Sequence, residues 1–580
     1  MEEKHYTSER AIQILISLLK AHNIKKVIAS PGATNVTFVG SIMHDSFFEI
    51  YSCVDERSAA YMACGLAAQS GEPVVLSCTG ATASRNYMPG LTEAYYRKLP
   101  VLAVTSTQDM SRIGHLRAQV IDRRTPLNDI VKLSEQIQYV KDETDEWDVN
   151  IKLNRAILEL YHRGGGPVHI NLTTNYSKDY SIKELPETRI IKRYTQKDTL
   201  PVLSDEKVAV FVGNHKKFSE KETKAIDNFC AAHNAVVFCD HTSGYYGKYR
   251  VQFAIVMSQE MQITPLRNLD TLIHIGEVSG DSPSLSLNAS KVWRVSEDGE
   301  LRDTFRKLDS VFEMPEDFFF EYYGKGEAKS SSFLDLCLEE IEKVRATLPE
   351  LPLSNAWIAS RTAHLIPKNS ILHLSIYNTL RNWNFFDVDK SIETSCNTGG
   401  FGIDGILSTA LGASLDNKER LTFVVIGDLA FFYDMNTLGN RHVNNNLRVL
   451  LVNNGKGTEF RNYNHPGAIF GDESDIYIAA AGHFGNKSDI LVKHYAKDLG
   501  FEYFSAKTKE EYLENLDRFV SSELTEKPIF FEVFTNSEDE SNALKAMRNI
   551  SSNTVGKMRG LVKDVIGRKG VDFAKKIIKR

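Results

Sequence analysis

Short, uninterrupted apolar runs alternate with amphipathic or small-residue stretches along most of this chain. KKVIAS (25–30) and EIYSCV (49–54) read as short strands, PVVLSCTG (73–80) and PVLAVTS (100–106) as continuous apolar strands, and PVHINLT (167–173) as the strand that closes the first domain. Helical periodicity over 9–21 and the small apolar residues of ERSAAYMACGLAAQS (56–70) predict helices between them. Thr7 or Ser8 stands near the N-cap expected for the first helix. Strand and helix in alternation imply a parallel sheet covered by helices on both faces.

The rhythm then repeats. KELPETRIIKRYTQKDTLP (183–201) is charged and poorly periodic and reads as a linker. VAVFVG (208–213), AVVFCD (235–240), TLIHIG (271–276) and KVWRVS (291–296) form a second set of strands. An acidic, aromatic loop near 312–323 and a helix over 331–348 end that segment. Pro-rich LPELPLS (348–354) marks a boundary. Beyond it come SILHLS (370–375), a Gly-rich turn (399–405), LTFVVIG (421–427), LRVLLVNN (447–454) and PIFFEVF (528–534). The expected fold is α/β: three Rossmann-like, doubly wound parallel-sheet domains at 1–182, 200–348 and 352–540, followed by a basic helical tail over 541–580.

Composition narrows the function. A chain of 580 residues exceeds one hydrophobic core, and a net charge of -6 sets nucleic acid aside as the main partner. The 7 cysteines are scattered without a C-x-x-C pair, so neither a disulfide framework nor a structural zinc site is expected, and a reducing compartment fits. The charged N-terminus does not read as a signal peptide, and no apolar run reaches the length of about eighteen residues that a membrane span needs. A cytoplasmic location is expected. The basic tail reads either as solvated helices or as an arm for an anionic membrane surface or an acidic partner.

The chemistry concentrates between Gly427 and Gly457. The strand LTFVVI runs into Gly427-Asp428-Leu429, a helical stretch follows, and the strand LRVLLV ends in Asn453-Asn454. Such a crossover unit puts Asp428 and Asn454 at the carboxyl ends of adjacent parallel strands, where open α/β sheets bind ligands. One carboxylate, one amide oxygen and one loop carbonyl make a half-shell for a hard cation such as Mg²⁺, and Gly427, Gly455 and Gly457 let backbone approach a diphosphate. Gly-Asp or Asn-Asn alone is common in turns, and a plain βαβ unit with a polar loop is the competing reading. Glu56, at the start of the small-residue helix, would on its own be an acid favoured by the helix macrodipole.

Together these residues make the chain resemble thiamine-diphosphate (ThDP) enzymes over nearly its whole length, and most of all the menaquinone-pathway synthases of 2-succinyl-5-enolpyruvyl-6-hydroxy-3-cyclohexene-1-carboxylate (SEPHCHC). The resemblance is carried by SPG (30–32), DERSAAYMACGLA (55–67), CTGATASRNYMPGLTEA (78–94), GFGIDGILSTALGAS (400–414), GDLAFFYD (427–434) and FEVFTNSEDESNAL (531–544). It implies ThDP and Mg²⁺ as cofactors. The implied metal ligands are Asp428, Asn454 and the carbonyl of Lys456, and the implied ThDP contacts are Thr79, Gly80, Gly427, Asp428, Leu429, Ala430 and Asn454. Ile403 would prop the cofactor in its bent form, and Glu56 would be the catalytic carboxyl group against the aminopyrimidine. The reaction implied is decarboxylation of a 2-oxo acid with ligation of the fragment to an acceptor, in a dimer or tetramer with shared sites.

The substrate positions depart from that family. Thr34, Gln108 and Thr398 stand where it carries arginines, whereas Gln119 and Arg381 are kept. Neutral Thr or Gln cannot replace bidentate charge-assisted pairs, so a donor with fewer carboxylates or a differently shaped acceptor is expected. Arg112 and Arg117 lie nearby, and His115 is a candidate proton donor, although a lone loop histidine is more often a surface residue. A non-ligating decarboxylase and a ThDP-binding regulator without turnover are the alternatives, and the intact Glu56 argues against the second. A flavin oxidase is disfavoured because VAVFVGNH lacks a full G-x-G-x-x-G.

Overall fold

The computed structural model describes residues 5–482 and 488–550. The chain forms two compact units, Met1–Asp198 with Gly299–Val311, and Thr199–Asp298 with Phe312–Arg580. The first is built on a six-stranded parallel sheet in the order Glu49–Ser52, Lys26–Ala29, Val74–Thr79, Val101–Thr107, Val168–Thr173 and Leu133–Ile137. On one face Ile12, Leu15 and Leu19 of helix Arg10–Ala21 meet Val75, Val104 and Ile170, together with Val149, Leu153 and Ile157 of helix Glu143–Glu159. On the other face Ala59, Ala60, Ala63 and Ala67 of helix Glu56–Ser70 pack with Leu76 and Ala103. The small residues there allow close approach: a Cβ on Gly90 of helix Met88–Arg97 would stand 2.5 Å from that of Ala60.

The second unit carries two further parallel sheets. One runs Arg250–Val251, Val236–Phe238, Val208–Val212, Asn268–Ile275, Asn288–Val295. The other has the order Glu393–Ser395, Ile371–Leu374, Thr422–Gly427, Leu447–Asn453, Ile529–Phe534, Glu502–Ala506. Its core packs Ile406, Leu407 and Ala410 of helix Ile406–Asp416 on Val424, Ile426, Leu451 and Phe431. The fold is thus α/β with three parallel sheets, as the apolar runs predict.

Three local expectations need correction. The first helix is capped at Glu9, not Thr7 or Ser8; the Glu9 carboxylate instead accepts the Thr174 hydroxyl and the Ser177 N–H, both at 2.9 Å. The expected linker over 183–201 contains the strand Lys192–Thr195. The acidic, aromatic stretch near 312–323 is largely helix Glu316–Tyr323, whose Phe319, Phe320 and Tyr323 are buried at spacings that share one helical face. Helix Ser537–Met547 runs across the start of the expected basic tail, with Ala543, Leu544 and Met547 buried, and residues 551–580 of that tail lie outside the described residues. Among the described residues no helix is long and apolar enough to cross a membrane.

Candidate active site

Strands Thr422–Gly427 and Leu447–Asn453 are adjacent and parallel, with Gly427 opposite Val452, and helix Asp428–Asp434 begins where the first of them ends. Asp428 and Asn454 each follow a strand end directly, so both sit on the carboxyl edge of the sheet. The two asparagines divide: the Asn453 amide donates to Glu532 at 2.7 Å within the sheet, and Asn454 is left for the edge.

Asp428 is 2% exposed and accepts the Gly455 N–H at 2.8 Å, with no cationic side chain paired to it among the described residues. Burial pushes its carboxyl up to about 7, the Glu532 charge adds to the rise, and the neighbouring backbone N–H groups oppose it. The Asn454 side-chain oxygen is buried without a hydrogen-bond partner. A Cβ on Gly427 would meet nothing within 4 Å. These atoms border a cavity of about 430 Å³, which Ile403, Leu429, Ala430 and Tyr377 also line. Buried polar groups are normally satisfied, so an uncompensated carboxylate beside an orphaned amide oxygen marks a place for a cation. The donor set is all oxygen and the space over Gly427 is open, so the residues fit a hard divalent ion together with a phosphate group.

The third expected ligand is partly engaged. The Lys456 carbonyl accepts the Thr458 N–H at 2.9 Å, which leaves one lone pair, while the Lys456 ammonium pairs with Asp475 at 2.5 Å. Ile403 sits in the turn between Phe401, at φ 52, and Gly405, at φ 78, and rests on the apolar core beneath it.

Arg381, expected from the resemblance to meet substrate, is held in a two-pronged pair by Glu459 at 2.7 and 2.9 Å, and donates to Asn378 at 3.1 Å. Sequence reasoning missed Glu459. Its signal was its place in the loop just past Asn453-Asn454, but nothing in the sequence linked it to a residue 78 positions away. Thr398 is buried beside the Gly280 backbone: a Cβ there would lie 3.3 Å from the Thr398 methyl group.

In the first unit Glu56 opens its helix behind the Asp55 N-cap, which accepts the Ser58 N–H at 2.7 Å. Glu56 is half-buried and accepts the Asn86 amide at 3.2 Å. Thr34 is 2% exposed, and its hydroxyl donates to the Ser106 carbonyl at 2.7 Å, accepts the Gly80 N–H at 3.3 Å and lies against the Thr79 hydroxyl. It therefore ties the turn after Ser30 to the ends of two central strands. Gln119 is exposed, with a left-handed φ of 63, and His115 and Arg117 are exposed as well. Gln108 accepts from Arg112, which keeps a cation beside it.

Comparison with known proteins adds to this geometry. A family model described as "Thiamine pyrophosphate enzyme, N-terminal TPP binding domain" matches residues 9–126. SEPHCHC synthases of Bacteroides thetaiotaomicron and Bacteroides fragilis are each 31% identical to the chain, over 93% of it and 98% of the relative. That of Flavobacterium johnsoniae is 28% identical over 92% and 97%. The chain belongs to the thiamine-diphosphate enzymes and, among them, to the family of the SEPHCHC synthases.

Proposed function

We propose that this enzyme decarboxylates a 2-oxo acid with ThDP and Mg²⁺ and ligates the remaining fragment to an acceptor, with a donor of fewer carboxylates or a differently shaped acceptor than the SEPHCHC synthases use. The observation that carries this reading is the buried, uncompensated Asp428 beside the orphaned Asn454 oxygen, with open space over Gly427. Bound ThDP would supply a carbon nucleophile and a cationic ring to take up the electron pair left behind when CO₂ departs. Asp428, Asn454 and the second lone pair of the Lys456 carbonyl would hold Mg²⁺, and the backbone at 427–430 would face the diphosphate. Glu56 would hold a proton at the aminopyrimidine nitrogen and so set its tautomer. Thr79 and Gly80 would present backbone to the same ring, and Ile403 would brace the cofactor from below.

The altered substrate is supported by the positions named above. Thr34 is consumed in the protein's own hydrogen bonds, Thr398 is buried, and Arg381 is already neutralised by Glu459. Gln119, and Gln108 with its attached Arg112, are the polar groups left to meet substrate. The assignment of 1–182 to pyrimidine binding, 200–348 to a central domain and 352–540 to diphosphate and metal binding belongs to this reading, as does a dimer or tetramer sharing its cofactors. Mass spectrometry tests it: ¹³C-labelled 2-oxo acids are offered with and without candidate acceptors. A product heavier than the acceptor by the decarboxylated fragment supports ligation. Release of only the free aldehyde means a simple decarboxylase.

A further inference from the structure

The first unit contains a buried guanidinium that the catalytic reading does not use. Arg123 is 7% exposed, and it has no acidic partner among the described residues. Its Nη1 donates to the Thr105 hydroxyl at 2.7 Å and its Nη2 to the Asn171 side-chain oxygen at 2.6 Å, while its Nε–H has no partner. Five N–H bonds radiate from a guanidinium, so three of them remain unspent.

The groups around it cannot serve as its counter-ion. Thr105, accepting from Arg123, is left to donate to Nε2 of His169 at 2.7 Å, and His169 Nδ1 faces the Ser134 hydroxyl at 2.8 Å. Burial pulls the His169 imidazole down to about 3, with the Arg123 charge adding to the effect, so this ring is neutral. The adjacent Asp122 carboxylate is turned to Arg124, at 2.9 and 2.6 Å. Burial also pulls Arg123 down, to about 10, which leaves it a cation at neutral pH. A buried cation without an ionic partner is costly, and an anion from outside the chain would offset that cost.

Arg123 lines a cleft of about 130 Å³ on this unit. The cleft's wall is apolar where Leu91, Ile130, Val131 and the 62% exposed Leu127 line it, and charged where Arg85 and Asp122 do, Asp122 being held by Arg124. A buried guanidinium without an ionic partner, sharing a cleft with apolar side chains, matches a ligand with an anionic head and a hydrocarbon tail. We propose that this cleft binds a small aliphatic monocarboxylate, its carboxylate on the Arg123 guanidinium and its tail against Leu91, Ile130 and Val131. One N–H on each Nη remains to meet a carboxylate head. The head group would lie next to the turn at Gly80, where a Cβ would come within 3.1 Å of Arg123 Nη2.

The test is calorimetric titration of the full-length protein, saturated with ThDP and Mg²⁺, with isocaproate and with isocaproamide, neither of which carries a 2-oxo group to react. Isocaproate is expected to bind and the neutral amide to bind at least about tenfold more weakly. Arg123→Gln should lose about tenfold or more in isocaproate affinity. Leu127→Glu, an exposed change that leaves Arg123 in place, should weaken it severalfold by repulsion, which guards against misfolding of the buried variant. Equal affinity for acid and amide, or unchanged binding in both variants, overturns the proposal, as does no isocaproate binding up to about 10 mM. The proposal stands apart from the catalytic reading: Glu56→Gln should bind isocaproate like the unaltered protein, and failure of ThDP to bind would refute only the catalytic account.

Discussion

Replacing Asp428 with Asn offers the sharpest structural test of the proposed metal site. The side chain is 2% exposed, and burial lifts its carboxyl from the ordinary 3.8 to about 7. Below the ordinary value the group is protonated in both folded and unfolded chains and contributes nothing. As pH rises from there to about 7 the unfolded chain ionises first, so stability falls; above about 7 the full penalty is present. Roughly three pH units at 1.36 kcal/mol each give about 4 kcal/mol, and relaxation of the site reduces this to about 2–4 kcal/mol. Asn has nearly the same volume, and its oxygen can still accept the Gly455 N–H. At pH 8 the cofactor-free Asp428→Asn protein should therefore be more stable than the unaltered one, and the gap should narrow by more than half as pH falls to 5. Adding ThDP and Mg²⁺ should reverse the order. A ligand at a hundred times its Kd contributes about 2.7 kcal/mol to the protein that binds it, and the Asn variant should gain little. Scanning calorimetry at the two pH values, with and without cofactor, measures all four states. Equal protection of both proteins by ThDP and Mg²⁺, or a cofactor-free variant less stable at pH 8, would refute the reasoning.

Two further outcomes concern the substrate positions. Glu459→Gln should free Arg381 for a substrate carboxylate and lower KM for dicarboxylic over monocarboxylic 2-oxo acids, an effect of about 1–2 kcal/mol in the KM ratio with kcat little changed; an unchanged ratio would remove Arg381 from substrate binding. Thr34→Arg, which restores the family's arginine, should destabilise the protein by about 1–3 kcal/mol and leave substrate preference unaltered, because the site is filled and its hydroxyl bonds are lost. Thermal melting and a substrate panel check this, and a stable variant that accepts the relatives' substrates would contradict it.

Legibility in the sequence followed burial for most strands, although the mostly exposed edge strand Glu49–Ser52 was legible as well. Val74–Thr79, Val101–Thr107 and Leu447–Asn453 are buried along their whole length, so their apolar runs announced them. The edge strands Leu133–Ile137, Glu393–Ser395 and Glu502–Ala506 pass unnoticed, because they are only partly covered and mix polar with apolar residues. Lys192–Thr195 is hidden for the same reason inside what reads as linker. At the site, Asp428 and Asn454 were legible because each directly follows a buried strand. The Arg381–Glu459 pair was not, since it is made only by tertiary contact. Arg123 was hidden as well: HLRAQVIDRR reads as a polar loop, and nothing in it reveals which arginine turns inward.

The central claim is that this chain drives ThDP-dependent decarboxylation through Glu56. The most direct measurement is CO₂ release from a panel of carboxyl-labelled 2-oxo acids, by the unaltered protein and by Glu56→Gln, each with ThDP and Mg²⁺ bound. The account predicts release from at least one acid, dependent on added ThDP, and a fall of about 10²–10⁴ in Glu56→Gln with cofactor binding retained. Release that is undiminished in Glu56→Gln, or absent from every acid with and without acceptors while ThDP is bound, would contradict it.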